Sequence, residues 1–233
     1  MSDEQIHILS TGDIPGLNYS GKIIVDIIPF LSISLNSEES VAETITQLAT
    51  KTASVVFTSA NAVEAVGIVL AGKQPNWKIY CIAHSTREKV LEYFTNPDIA
   101  GLAASSGELA ELIVRNGNNP VLFFCGNLRR DEIPIKLREN NIPMDELVVY
   151  ETVYTPVKTS ENYSGILFFS PGAVESFFSE NKIDPGIILF AIGKSTASEI
   201  REHCTNRILT AAKPGKLELA QKAINYFEEK IHQ

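Results

Sequence analysis

Short apolar runs rich in β-branched residues alternate along the chain with longer stretches whose apolar positions recur at helical spacing. The runs predicted as strands are Ile6–Leu9, Ile23–Ile28, Val55–Thr58, Ile79–Ala83, Val121–Cys125, Leu147–Tyr154, Ile166–Phe169 and Ile187–Ile192. Between them, Val63, Val66 and Leu70 fall on one face of a helix. Strands alternating with helices indicate parallel sheets with helices packed on their faces, so the pattern predicts an α/β protein.

Landmarks of the first half recur in the second half at a nearly constant offset. The stretch VVFTSANAVEAV returns as LFFSPGAVESFF, and its Ser59 lies 111 residues before Ser170. Thr86 in HST lies 110 residues before Thr196 in KST, and the Leu-Ala pairs beginning at Leu109 and Leu219 keep the same offset. A fixed offset over three landmarks indicates an internal duplication, with one copy of the same supersecondary unit in each half.

The opening of the chain and its middle also resemble each other, because each has a strand, a variable connection and an extended strand. The extended pieces, around Asp26–Ile33 and Leu147–Tyr154, carry Pro29 and Pro156 near their ends. Extended, proline-bounded segments are typical of linkers, so we expect the domain boundaries there.

Four Ser or Thr residues and one Gly-Asn pair stand where a strand turns into a helix: Ser59, Thr86, Ser170, Thr196 and Gly126–Asn127. Such corners expose free backbone N–H groups and the positive end of the helix dipole at the carboxyl edge of the sheet, where carboxylate or phosphate binds. The alternative for each hydroxyl is an N-cap, which stabilises its own helix by about 1 kcal/mol. The corners therefore predict an anionic ligand without identifying it.

Composition narrows the class of protein. A chain of 233 residues has room for two domains of about 100 to 120 residues. The apolar share of 44%, the charged share of 21% and the formal charge of -8 indicate a globular protein without the basic face that nucleic-acid binding needs. We expect no membrane span and no targeting segment, and hence a cytoplasmic protein.

Familiar catalytic and metal-binding motifs are missing from the sequence. Cys81, Cys125 and Cys204 form no CxxC pair, so reduced buried thiols are expected rather than disulfides or a metal site. Dinucleotide, P-loop, zincin and serine-hydrolase signatures do not occur. His84 stands at a corner, either as a polar lining residue or as a base. Any catalysis is expected to depend on positioning and electrostatics.

Five segments, in matching order and spacing, resemble uroporphyrinogen-III synthase. They are FTSANAVEAV, IAHST, LFFCGNLRRDEIPIKLRENNIPMDELVVYETV, FFSPGAVESFF and AIGKSTASEI. The resemblance covers nearly the whole chain and implies two flavodoxin-like, doubly wound parallel-sheet domains joined by two extended linkers, with the active cleft between them. It implies a discontinuous first domain of residues 1–30 plus 155–233 and a second of residues 34–147, with linkers at about 31–33 and 148–154.

The activity that the resemblance implies is cyclisation of the linear tetrapyrrole hydroxymethylbilane to uroporphyrinogen III. Water is lost, and the terminal ring is inverted through a spirocyclic intermediate. The family uses no cofactor, and we expect neither a cofactor nor a metal here. The substrate is a polycarboxylate, which suits helix N-termini. We expect a monomer. The alternative is a non-catalytic, hinge-type two-domain protein that binds a small organic polyanion.

Residue roles follow from the same resemblance. Tyr150 matches a tyrosine proposed to assist departure of the hydroxyl, because a phenol can donate a proton, although it can also be a packed strand tyrosine. The predicted substrate-binding residues are Ser59, Ala60, Thr86, Gly126, Asn127, Arg130, Ser170, Gly172, Lys194, Ser195 and Thr196. Ser59 is expected to face Ser170 across the substrate.

Several positions depart from the family pattern or have no assigned role. Arg129 is expected to be a solvated neighbour of Arg130, and Arg87 either contacts a carboxylate or faces solvent. The opening ILSTGD lacks the TRP found in many relatives, so no substrate contact is assigned there.

Overall fold

The computed structural model describes residues 5–18, 21–116, 120–159, 162–213 and 215–231. The chain divides into two compact units, the first formed by Met1–Ser32 and Val153–Gln233 and the second by Ile33–Thr152. The first unit is therefore discontinuous, and the second is a single continuous segment. The α/β fold with parallel-sheet domains predicted from the sequence is confirmed.

The first unit contains a five-stranded sheet. Its strands are β1 (Ile6–Ser10), β2 (Ile23–Ile27), β9 (Gly165–Phe168), β10 (Ile188–Ala191) and β11 (Ile208–Thr210). They lie in the order β11-β10-β9-β1-β2, and all four neighbouring pairs are parallel. Its helices are α6 (Pro171–Glu180), α7 (Lys194–His203) and α8 (Lys216–Ile231).

The second unit contains a six-stranded sheet. Its strands are β3 (Leu31–Leu35), β4 (Ala53–Phe57), β5 (Trp77–Ile82), β6 (Asp98–Ala103), β7 (Val121–Gly126) and β8 (Met144–Tyr154). The first two residues of β3 and the last two of β8 belong to the first unit. They lie in the order β3-β8-β7-β4-β5-β6. Its helices are α1 (Glu39–Leu48), α2 (Ala60–Leu70), α3 (Ser85–Tyr93), α4 (Ser106–Asn116) and α5 (Glu132–Glu139).

The two sheets share one spatial order although their strands follow different chain orders. If β7, β8, β4, β5 and β6 are matched to β1, β2, β9, β10 and β11, both sheets have the order 2-1-3-4-5 of flavodoxin-like folds. The match pairs Ser59 at the end of β4 with Ser170 at the end of β9. The structural equivalence therefore follows the sequence repeat.

Both faces of the second sheet are buried, as expected of a parallel sheet covered by helices. All six residues of β7 are buried, so alternate side chains enter two separate cores. On one face Phe124 stacks on Phe57 with ring centroids 5.3 Å apart, and Trp77 lies 5.5 Å from Phe124. On the other face Phe123 packs with Val56. These cores fix the strand ends from which the site residues project.

Three strands are absent from the sequence-based prediction, namely β3, β6 and β11. Each is the outermost strand at one edge of its sheet. The two segments expected as linkers are extended, and both belong to hydrogen-bonded strands of the second sheet, β3 and β8. Asn36 N–H donates to Val149 O and Thr155 N–H donates to Phe30 O, each at 3.0 Å, so these strands run in opposite directions. Across the described ranges, no helix combines the length and apolar character needed to cross a membrane.

Candidate active site

The predicted site residues lie at the carboxyl edges of the two sheets. In a doubly wound sheet, ligands bind at this edge where the strand order reverses. That point lies between β7 and β4 in the second unit and between β1 and β9 in the first. In the second unit the adjacent predicted residues are Ser59, Gly126 and Tyr150.

Tyr150 occupies an irregular position in β8. Cys125 of β7 pairs with Val148, but the next residue, Gly126, pairs with Tyr150, so Val149 is an extra residue in the strand. Such a bulge changes the direction of the side chain that follows it. A Cβ added at Gly126 would lie 2.4 Å from Cζ of Tyr150 and 2.8 Å from its hydroxyl. Position 126 therefore needs glycine because the phenol ring crosses it.

Asn127 joins β7 to β8 through its side chain. Its Nδ2 donates to Thr152 O at 3.2 Å, its Oδ1 accepts from Thr152 N–H at 2.8 Å, and its own N–H donates to Tyr150 O at 3.3 Å. We expected this amide to contact substrate. In the structure both of its polar ends bond the backbone next to Tyr150, and they hold the tyrosine's strand in place.

A pocket of about 340 Å³ opens at this corner of the second unit. Four of the predicted residues line it: Ser59, Gly126, Arg130 and Tyr150. The pocket also contains Thr58, Ser105, Ser106 and Arg129, which the sequence analysis did not assign to the site. The second unit alone thus brings a phenol, two guanidinium groups and several hydroxyls around one cavity.

The two adjacent arginines of this pocket have different roles. Arg129, expected to be solvated, is ion-paired with Glu146 of β8 and with Asp131 at the start of α5, and its side chain is 26% exposed. The hydrogen bond to Glu146 raises the pKa of Arg129. Arg130 is exposed and forms no ion pair with the residues described. Arg130 is therefore available for an anionic ligand.

The corner serines are N-caps, which was the alternative to ligand binding. Ser59 Oγ accepts from Asn61 N–H and Ser170 Oγ accepts from Ala173 N–H, each at 3.2 Å. Since the hydroxyl oxygen accepts in each case, the hydroxyl hydrogen is left to donate. Capping and ligand binding are thus compatible. Ala60 and Gly172 lie in the first turns of the capped helices, and both are half-buried.

The Ser-Thr corners expose the serine and bury the threonine. Thr86 is 3% exposed and Thr196 is 1% exposed, whereas Ser85 and Ser195 are exposed. Contact through a threonine hydroxyl, as we expected, is therefore less accessible than contact through the neighbouring serine. His84 precedes α3 with φ 67° and ψ -128°, a strained conformation for a residue other than glycine.

Helix α4 adds a corner that is not among the predicted site residues. Ser105 Oγ accepts from Glu108 N–H at 3.3 Å, and Glu108 Oε2 accepts from Ala104 N–H at 3.1 Å. This is a variant of the capping box in which the glutamate accepts from the residue before the N-cap, and the Ser-x-x-Glu spacing before Leu109 is its sequence signal. The N-terminus of α4 faces the same pocket as Ser59.

In the first unit two lysines lie at the corresponding edge. Lys194 is the first residue of α7 and is exposed. Lys216, the first residue of α8, was not predicted. Its Nζ donates to Asp13 O at 3.0 Å and lies 5.3 Å from the ring centroid of Phe169. Lys216 thus places a positive charge beside the ends of β1 and β9. The segment ILSTGD, which contains the end of β1 and lacks the TRP of many relatives, supplies no arginine there.

The buried cysteines are poor nucleophiles. Burial raises the pKa of Cys81 and of Cys125 to about 11. Cys81 lies in β5 and Cys125 in β7, and neither lines the pocket. Because a thiolate is the reactive form, these thiols are packing residues.

The fold and the site define a doubly wound α/β protein with helix N-termini, hydroxyls and basic side chains at the carboxyl edges of two sheets. The family model of "Uroporphyrinogen-III synthase HemD" matches residues 18–221. The chain belongs to the uroporphyrinogen-III synthase family. The family's activity is that of a lyase, which cyclises hydroxymethylbilane to uroporphyrinogen III with loss of water and inversion of the terminal ring.

Solved structures of this family share the fold. Uroporphyrinogen-III synthetase from Helicobacter pylori 26695 is 16% identical with a TM-score of 0.66, and the match covers 95% of this chain and 100% of that one. A mutant uroporphyrinogen III synthase from the extremely thermophilic bacterium Thermus thermophilus is 10% identical with a TM-score of 0.67, and the match covers 96% of this chain and 99% of that one.

Proposed function

We propose that Tyr150 is the proton donor of the synthase reaction and that the corner residues of both units bind substrate carboxylates. The observation that supports this most directly is the position of Tyr150 over Gly126, in the same pocket as Ser59 and the exposed Arg130. A phenol here can protonate the departing hydroxyl, which then leaves as water. As the C–O bond breaks, the lone pair of the pyrrole nitrogen donates electron density to the methylene carbon, which loses the bonding pair to the departing oxygen.

Electrostatics support carboxylate binding at these corners despite the net negative charge of the chain. The N-termini of α2 and α4 meet the second unit's pocket, and each contributes free N–H groups and a positive dipole end. Arg130 adds a guanidinium that can bind a carboxylate through two hydrogen bonds. In the first unit, Ser170, Gly172, Lys194, Ser195 and Lys216 supply the equivalent groups.

The enzyme's main task is to control geometry. Each carboxylate held at a corner restricts a flexible linear substrate, and restriction of this kind favours one ring closure over its competitor. The two units are proposed to be the functional domains, with residues 31–33 and 148–154 as the connecting segments. That Ser59 faces Ser170 across one substrate stays a prediction. We also propose a monomer in the cytoplasm, where the free cysteines would stay reduced.

The decisive experiment is direct. Purified protein is supplied with hydroxymethylbilane, and the porphyrin obtained after oxidation is separated into isomers I and III. We expect isomer III at a rate far above spontaneous closure. Isomer I alone, at the rate seen without protein, would contradict the synthase activity and favour the alternative of a polyanion-binding protein.

Carboxylate binding at the first unit's corner has its own test in Ser195→Asp. Ser195 is exposed in the first turn of α7, where a negative charge stabilises the helix by about 0.3 to 1 kcal/mol. The variant should therefore fold well while its KM for hydroxymethylbilane rises. Ser198→Asp, one turn further along α7 and exposed, is the matched control. Equal KM values for the two variants would remove this corner from the substrate site.

A further inference from the structure

Tyr154 contacts a corner glycine of the first unit, as Tyr150 contacts one of the second. A Cβ added at Gly172 would lie 3.3 Å from Cε1 of Tyr154 and 3.5 Å from its hydroxyl. Gly172 is in the first turn of α6, directly after the Ser170 cap. Each unit therefore has a tyrosine of β8 lying against the helix start or strand end that forms its predicted corner.

The ring of Tyr154 is held by a hydrogen bond to Glu175. The hydroxyl donates to Glu175 Oε2 at 2.6 Å, and both residues belong to the first unit. Burial, followed by this hydrogen bond, raises the pKa of Tyr154 to about 12. A phenol committed to a carboxylate and so weakly acidic is not suited to donate a proton to substrate. Tyr154 is therefore not a second general acid.

The backbone around Tyr154 is also fixed. Thr155 N–H donates to Phe30 O at 3.0 Å and Thr155 Oγ1 donates to Pro29 O at 3.2 Å. Phe30 packs edge-on against Phe177 of α6 with centroids 5.3 Å apart. The strand end and α6 thus share one packed core, which keeps the distance between the ring and the first turn of α6 constant.

One part of the ring remains accessible. Tyr154 is 38% exposed, although its hydroxyl is bonded and its edge touches Gly172. In the first turn of α6, Pro171 has no N–H and Ala173 N–H donates to Ser170 Oγ, so the N–H of Gly172 is left for a ligand. An aromatic side chain with accessible surface beside this N–H suits a ligand that is both aromatic and anionic. A pyrrole ring with carboxylate side chains has this chemistry, because the ring can stack while a carboxylate reaches the helix end.

We propose that Tyr154 is a specificity-determining residue, a tethered aromatic wall on which one pyrrole ring of the substrate packs while its carboxylate binds at the Ser170–Gly172 corner. This inference rests on the proposed carboxylate binding at that corner. Glu175 acts through Tyr154 and is a positioning residue. Together they limit the orientations of that pyrrole, and so influence which isomer forms.

The test distinguishes the contribution of the Tyr154 ring from that of its hydrogen bond to Glu175. Tyr154→Ala removes the wall and should raise KM about tenfold, as expected for loss of one aromatic contact, and increase the share of isomer I. Tyr154→Phe and Glu175→Ala keep the ring but release it, so each should raise KM by a smaller factor. The double variant should be no worse than either single one, since both remove the same hydrogen bond. Glu175→Gln retains an acceptor and should resemble the parent protein.

Val153→Ala, at the neighbouring and 44% exposed position of β8, controls for general damage to the strand. Thermal melts establish that each variant is folded. Unchanged KM and isomer ratio in folded Tyr154→Ala would overturn the inference, as would additive effects in the double variant. If Ser195→Asp raises KM while Tyr154→Ala does not, the proposed packing of a pyrrole on Tyr154 is wrong, and the proposed carboxylate binding by the first unit is retained. If neither variant changes KM, both the packing proposal and the carboxylate-binding proposal are wrong.

Discussion

The ring of Tyr150 lies so close to Gly126 that no other residue fits there without displacing it. The Cβ of an alanine would be 2.4 Å from Cζ of the phenol. Gly126→Ala should therefore shift the ring, destabilise the protein by about 1 to 3 kcal/mol and lower kcat on the order of 100-fold. Steady-state kinetics and urea unfolding measure both effects. Gly186→Ala is the control, because nothing lies within 4 Å of its added Cβ. An unchanged kcat in Gly126→Ala would show that the ring position is unimportant.

Tyr150→Phe tests whether the phenol hydroxyl donates a proton in the reaction. The variant keeps the ring over Gly126 and removes only the hydroxyl, so the free energy of unfolding should change by about 1 kcal/mol or less. Loss of a general acid should lower kcat by about 100-fold or more. The rate of isomer III formation and the thermal midpoint are the two readouts. Equal activity would remove Tyr150 from the catalytic role.

Substitution of Asn127 tests whether this residue positions the strand of Tyr150 or contacts substrate directly. Asn127→Ala removes both side-chain bonds to Thr152 and should cost about 1 to 2 kcal/mol of stability. Because those bonds hold the strand of Tyr150, kcat should fall more than KM rises. A rise in KM with kcat unchanged would instead indicate a direct substrate contact, as the sequence suggested. Asn127→Asp keeps only the acceptor and should lie between Ala and the parent protein.

Ser176 offers a stabilising change. Its hydroxyl is fully buried in α6 and is the buried side-chain oxygen without a hydrogen-bond partner in the described part of the chain. Ser176→Ala removes that cost and improves helix propensity, so stability should rise by about 1 kcal/mol and Tm by about 2 to 4 °C. Ser179→Ala is the control, because Ser179 Oγ donates to Ser176 O at 2.8 Å. A lower Tm for Ser176→Ala would mean that the hydroxyl is bonded.

Tyr154 should lose its phenolic proton at a higher pH than an ordinary tyrosine. Its pKa in the folded protein is raised from 10.0 to about 12, so the unfolded chain loses this proton first. The group's contribution to stability is complete below pH 10 and is lost as the pH rises toward 12. Absorbance at the phenolate band, compared between the parent protein and Tyr154→Phe, should give a difference curve centred near pH 12. A midpoint near the ordinary pKa of 10.0 would show that neither burial nor the hydrogen bond to Glu175 acts on the hydroxyl.

Periodicity recovered the buried strands because burial imposes apolar runs, and it missed three of the four strands that lie at sheet edges. The segment of β6, Asp98–Ala103, has alanine or glycine at three of its six positions, and β11 has only three residues. Such strands are defined by pairing with a distant neighbour rather than by their own composition. The same holds for β3, whose proline-bounded sequence resembles a linker until its pairing with β8 is seen.

Local sequence predicted candidate site positions, but it did not predict the side-chain partners of those residues. Ser59, Gly126, Arg130 and Tyr150 line one pocket, which opens at the carboxyl ends of the predicted strands β4 and β7. The roles of Arg129 and Arg130 depend on Glu146, which lies 17 residues from Arg129 and becomes its neighbour only when β7 and β8 pair. The burial of Thr86 likewise depends on packing around α3, which an isolated Ser-Thr motif does not show.

The discontinuity of the first unit also has a consequence for biosynthesis. The second unit, Ile33–Thr152, is continuous, so its sheet can close as soon as the ribosome has delivered β8. The strands β1 and β2 emerge first, yet their sheet needs β9, β10 and β11 from the end of the chain. The apolar faces of the earliest strands therefore remain uncovered through most of translation, and the first segment made is the last to complete its fold.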